Sequence, residues 1–122
     1  MIGNVTTDDF CDVCEKFNLE FNALGEDYIM LPKNIKLGEI FGSIAAYNTQ
    51  SKTMSVSKGI RVVWMQNKKT FETIFSHFEF QSHIKYSNVN DAKKQIQNVL
   101  KNYKDIKVKL KIEEIEKDFK ND

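Results

Sequence analysis

Long apolar runs are missing from this chain. The longest unbroken ones, residues 28–31, 44–47 and 62–65, fall far short of the roughly twenty residues a membrane-spanning helix requires. Glycine is scarce as well: five residues, each isolated. That removes the phosphate-cradling loops, Walker A and Gly-x-Gly-x-x-Gly, and there is no Gly-x-Ser-x-Gly elbow for a nucleophilic serine. Proline occurs once, and no Pro/Gly linker, repeat or low-complexity tract divides the 122 residues. One domain is the expectation over residues 1–112, followed by an acidic C-terminal tail at 113–122. The N-terminus, MIGNVTTDD, is acidic and has no basic region leading into an apolar stretch. No signal peptide is expected there, and a cytoplasmic location follows from that reading.

Arginine is nearly absent. Lysine outnumbers it 17 to 1, and Lys, Asn and Ile together make up 40 residues. All three have AT-rich codons, so an AT-rich genome is the simplest cause; phages and mobile elements are among the sources that fit. The bias warns against reading each lysine as selected for a ligand. Apolar residues at 41% and charged residues at 29% describe a soluble globular chain.

The net charge of +1 conceals segregation. Residues 1–27 hold seven acids and one lysine, residues 28–111 fifteen bases and five acids, and residues 112–122 five acids and two lysines. A basic middle is bracketed by acidic ends. Either the ends fold back and neutralise the middle, or one end is a partner surface.

Thr6 or Thr7 can cap a first helix, with Asp8 and Asp9 at its positive end. Phe10, Val13, Cys14 and Phe17 fall on one face of it. Leu19, Phe21 and Ala23 alternate with polar residues as in a strand, LGED turns, and YIML reads as a short strand ended by Pro32. Residues 39–66 read as sheet, with NTQSKT as a turn and Gly59 as a break. Leu37, Ile40, Phe41 and Ile44 also fit a helical period, but Gly38 and Gly42 within it disfavour a helix. Residues 70–80 read as a strand pairing with residues 60–65 through NKK, although Phe71, Ile74, Phe75 and Phe78 match a helix face too. A last helix is capped by Asn90 and buries Ala92, Ile96, Val99, Leu100 and Tyr103. IKVKLKI then alternates as a final strand, with Lys107, Lys109 and Lys111 outward. The expected fold is α+β: an antiparallel sheet of about five strands, an N-terminal and a C-terminal helix packed on it, and a strand after the last helix.

Little in the chain points to catalysis. Cys11-x-x-Cys14 supplies two thiols, but a structural zinc site needs two more ligands, and His77 and His83 are poorly spaced to give them. Redox Cys-x-x-Cys pairs sit at a helix N-terminus after a strand. Here the pair lies inside the first helix, among Asp8, Asp9, Asp12 and Glu15, whose charge suppresses a thiolate. The chain is therefore expected to be no enzyme and to need no cofactor or metal.

Binding remains. The acidic helix, Asp8, Asp9, Asp12 and Glu15, offers complementary charge to a protein partner. A small protein-binding regulator or inhibitor, of the anti-defence type that phages and mobile elements encode, is the first expectation. The alternative is nucleic-acid binding through Lys101, Lys104, Lys107, Lys109, Lys111 and Arg61, with Trp64, Tyr47 and Tyr86 as stacking platforms. A single arginine limits base reading, and lysines on an edge strand also serve to block aggregation.

Overall fold

The computed structural model describes residues 3–33 and 39–120, with side chains for 3–33 and 39–111. Leu37, Gly38, the first two residues and the side chains of the acidic tail lie outside the described residues.

The first helix, α1, spans Thr7–Lys16. Thr6 caps it in a capping box: its hydroxyl accepts from the Asp9 N–H at 3.1 Å, and the Asp9 carboxylate accepts from the Thr6 N–H at 3.0 Å. Asn18, at φ 54°, stops it in the left-handed conformation that asparagine tolerates. Two strands follow, β1 (Leu19–Leu24) and β2 (Asp27–Pro32), joined by Gly25-Glu26. Gly25 sits at φ 64°, the sign that a tight II′ hairpin turn demands of its first central residue.

Six more strands complete two sheets: β3 (Ile40–Phe41), β4 (Ala45–Asn48), β5 (Thr53–Ser57), β6 (Ile60–Gln66), β7 (Thr73–Phe80) and β8 (His83–Tyr86). The larger sheet is wholly antiparallel, in the order β1-β2-β4-β5-β8. The smaller has the order β3-β7-β6, with β3 parallel to β7. One long hairpin runs through both. Its arms run β5–β6 and β7–β8, and both bend at the same level. Lys58 N–H donates to the Ser82 carbonyl at 2.9 Å and Gln81 N–H to the Gly59 carbonyl at 3.0 Å. The break expected at Gly59 is therefore a bend that carries the hairpin from one sheet into the other.

The last element, α2, runs without interruption over Val89–Lys120. This corrects the expected final strand: residues 106–112 are helical. The alternation of IKVKLKI competes there with a helical stripe, Val99, Tyr103, Ile106 and Leu110, that continues the buried face. No glycine or proline interrupts it after Asn88, so the helix propagates. The cap is also corrected. Asn88, not Asn90, accepts from the Asp91 N–H at 2.9 Å and donates to the Asp91 carboxylate at 2.9 Å.

The core lies between one face of the larger sheet and the two helices. Leu19, Met30, Ala45, Tyr47, Met54 and Val56 are buried with Phe10, Val13 and Cys14 of α1 and Ala92, Ile96 and Val99 of α2. The opposite face carries Asp27, Asn48, Ser55, His83 and Lys85. The start of the chain is tied to the β4–β5 turn and to the end of β8: Gly3 N–H donates to the Ser51 carbonyl, Val5 to Lys52 and Asn4 to Ser87. No described helix is long and apolar enough to cross a membrane.

Candidate protein-binding surface

The β6–β7 hairpin projects beyond the core. Its loop is set by Asn67, whose N–H donates to the Glu72 carbonyl at 2.8 Å and whose side-chain oxygen accepts from Lys69 N–H at 2.9 Å. Phe71 N–H returns to the Asn67 carbonyl at 2.7 Å. This geometry holds Phe71 at φ 60°, a left-handed conformation costly for an aromatic residue, with its ring 74% exposed.

Both faces of the outer part of the hairpin carry large apolar side chains. Val62, Trp64, Phe75 and Phe78 share the side facing α2, since Val62 pairs with Phe78 and Trp64 with Phe75. A register shift leaves Ser76 unmatched and swings Phe75 onto that side. The rings form a chain: Trp64 to Phe75 at 6.2 Å, Phe75 to Phe78 at 5.0 Å, Phe78 to Tyr103 of α2 at 5.0 Å. The inner end is buried, while Trp64 is 47% exposed. On the other side stand Met65, Ile74 and Phe41, the last edge to face with His77 at 4.5 Å.

Six large apolar side chains are thus bare in one region: Phe41, Trp64, Met65, Phe71, Ile74 and Phe75. Aromatic side chains bury roughly 150–250 Å² when covered, so the bare area is on the order of 600 Å². It is divided between the two faces and the tip of the hairpin, and exposed apolar patches of this kind mark interaction sites. The residue before β3 is anchored to α2 by charge. The Glu39 carboxylate lies 3.1 Å from the Lys107 ammonium and accepts from the Tyr103 hydroxyl at 3.1 Å. Burial by itself would lower the Lys107 pKa, but its bonds to Glu39 and Tyr103 outweigh that and raise it. Burial raises the Tyr103 pKa.

No family model, no curated protein and no solved structure matches the chain.

The residues singled out in the sequence are not brought together. On α1, Asp8, Asp12 and Glu15 are exposed along one face, while Asp9 is engaged in the cap. Among the described residues there are two ion pairs, Arg61–Glu79 and Lys107–Glu39, and neither joins the acidic start of the chain to its basic middle. The lysine stripe expected of a strand is dispersed by the helix. Lys107 and Lys109 fall on different sides of α2, and Lys107 is held by Glu39 over the Tyr103 ring at 5.1 Å. Lys101, Lys104 and Lys111 remain exposed on one flank, at spacings of three and seven. Arg61 is bonded to Glu79 at 2.9 Å. Tyr47 cannot stack a base: it is buried, and its hydroxyl donates to the Val5 carbonyl at 2.9 Å.

A depression of about 170 Å³ on the polar sheet face is lined by Asp27, Asn48, Ser51, Thr53, Ser55 and Lys85. Its polar groups largely satisfy one another: Asn48 bonds Asp27 and Ser51, and Ser51 bonds Thr53 at 2.7 Å. Next to it, His83 lies 2.8 Å from the Ser43 carbonyl and 3.0 Å from the Ser55 hydroxyl. Those contacts pin β8 to β5 and to the segment before β4. Among the described residues, no buried side-chain nitrogen or oxygen lacks a hydrogen-bond partner. Among the described residues, no three of His, Cys, Asp and Glu converge.

The hairpin carried one signal in the sequence. Val62-Val63-Trp64-Met65 is apolar at consecutive positions, where a half-buried strand alternates. Such a strand needs cover on both faces, and the two helices among the described residues supply too little of it.

Proposed function

We propose that the protein acts by binding a protein partner through the β6–β7 hairpin, as a small non-catalytic regulator or inhibitor. The observation that carries this reading is the concentration of Trp64, Met65, Phe71 and Ile74 on a projecting element. Interface hot spots favour such aromatic anchors. The acidic face of α1, with Asp8, Asp12 and Glu15, is a secondary element that steers encounter with a basic partner.

The test is affinity capture from the native host after nuclease treatment, with the wild-type chain and a Trp64→Ser/Phe71→Ser/Ile74→Ser variant in parallel. A stoichiometric protein held by the wild type and lost by the variant supports the reading. A partner retained equally by both overturns it.

A second reading rests on the exposed flank of Lys101, Lys104 and Lys111, which suits a phosphate backbone. Gel shifts over a salt series test it. Binding that weakens steeply with salt and is lost in Lys101→Ala/Lys104→Ala/Lys111→Ala favours nucleic acid, and no shift at low salt removes this reading.

A further inference from the structure

The β6 strand is the outer strand of the three-stranded sheet, and its far edge has no backbone partner among the described residues. Every second N–H and C=O along it is therefore available to another strand. Natural edges are usually blunted by lysine, proline or a bulge. Residues 60–66 contain neither lysine nor proline. Their one charge, Arg61, is already bonded to Glu79 in the same sheet at 2.9 Å. The bulge falls on β7, at Ser76, and leaves β6 regular. Across the same sheet, the edge of β7 beyond the reach of β3 carries that bulge and makes a poor template.

We infer that β6 pairs antiparallel with β6 of a second copy of this chain, forming a two-fold dimer with a continuous six-stranded sheet. The strand is complementary to itself. The register that pairs all seven residues places Val63 on the two-fold axis and sets Val62 opposite Trp64 of the second copy. It sets Arg61 opposite Met65 and Ile60 opposite Gln66. No like charges meet, and on one face a β-branched residue meets an aromatic one, a favourable cross-strand pair. The interface is isologous, so it closes at two copies. It consumes the edge of β6 and leaves the faces of the hairpin open, so the paired sheet displays two copies of the Trp64–Phe75 surface side by side.

Sedimentation velocity of the full chain from about 1 μM to about 100 μM tests this. The expected result is a species of twice 14.2 kDa that gains population with concentration. Trp64→Lys/Met65→Lys places charge on the edge strand at two exposed positions and is expected to weaken the dimer at least tenfold, with an unchanged far-UV spectrum. In a Cys11→Ser background, Val63→Cys is expected to form a covalent dimer on mild oxidation, because residues opposed across an antiparallel pair lie within disulfide reach. Exposed Gln50→Cys in the same background is not. A 14.2 kDa species at every concentration overturns the inference. So does a dimer indifferent to the double variant, growth beyond two copies, or equal cross-linking at Gln50→Cys.

Discussion

The ring of Tyr103 meets the ring of Phe78 edge to face at 5.0 Å, and this contact fastens the long helix to the three-stranded sheet. Phe78 is 2% exposed and also carries Phe75 on its other side. Phe78→Ala is expected to lower stability by about 3–5 kcal/mol in urea unfolding. A double-mutant cycle with Tyr103→Ala should return a coupling of roughly 0.5–1.5 kcal/mol beyond area burial. Tyr103→Phe keeps the ring but loses the bond to Glu39, at a cost of roughly 0.5–1.5 kcal/mol. A coupling near zero would show that the helix is held elsewhere.

Residue Val108 separates the two readings of residues 106–112. It is exposed, so replacing it removes little packing. In a helix interior, proline deletes a backbone bond and clashes with the preceding turn. Val108→Pro should therefore cut the helix near residue 107, and the far-UV signal at 222 nm should fall as the remaining turns fray. A strand at these residues would leave the helical signal unchanged.

What the sequence revealed and what it hid follow from how far each signal depends on distant partners. The α1 face, Phe10, Val13 and Cys14, was legible because capping and a 3.6-residue period are local. The pairing of residues 60–65 with residues 70–80 was legible because turn residues separate two β-forming runs. The segment 106–112 misled because two periods fit it, and only the sheet beside Tyr103, Ile106 and Leu110 decides between them. The bare surface was hidden for the same reason. Trp64 and Phe75 read as core residues, and their exposure follows from where α2 lies. The acidic helix stood out by charge, yet its Asp9 is engaged in a cap.

The two cysteines should differ in chemistry. Cys11 is exposed and Cys14 buried. Burial, reinforced by the neighbouring Cys11, pushes the Cys14 thiol up to about 11. At pH 8, iodoacetamide is expected to modify Cys11 in the native protein and Cys14 only after unfolding. The linkage has a definite sign. Between the ordinary thiol value of 9.0 and about 11, the unfolded chain has lost this proton and the native chain retains it. Stability should therefore decline as pH rises through that window. Cys14→Ala should remove that part of the slope; a slope unchanged in the variant would assign it to other groups.

Phe71 tests whether the hairpin tip is built for binding at the expense of folding. Its backbone sits at φ 60°, where a side chain other than glycine or asparagine is unfavourable by roughly 1–2 kcal/mol. Its ring is 74% exposed, so it returns little packing energy to the fold. Phe71→Asn suits the left-handed conformation without adding the chain entropy that glycine would bring. The variant should be more stable than the wild type by about 1 kcal/mol in urea unfolding. The ring is the most exposed large apolar side chain of the hairpin, available to a partner and of little use to the fold. The same variant should therefore weaken capture of the protein partner. Loss of stability on replacement would show instead that the Phe71 ring holds the loop together, and the tip would then owe its sequence to folding alone.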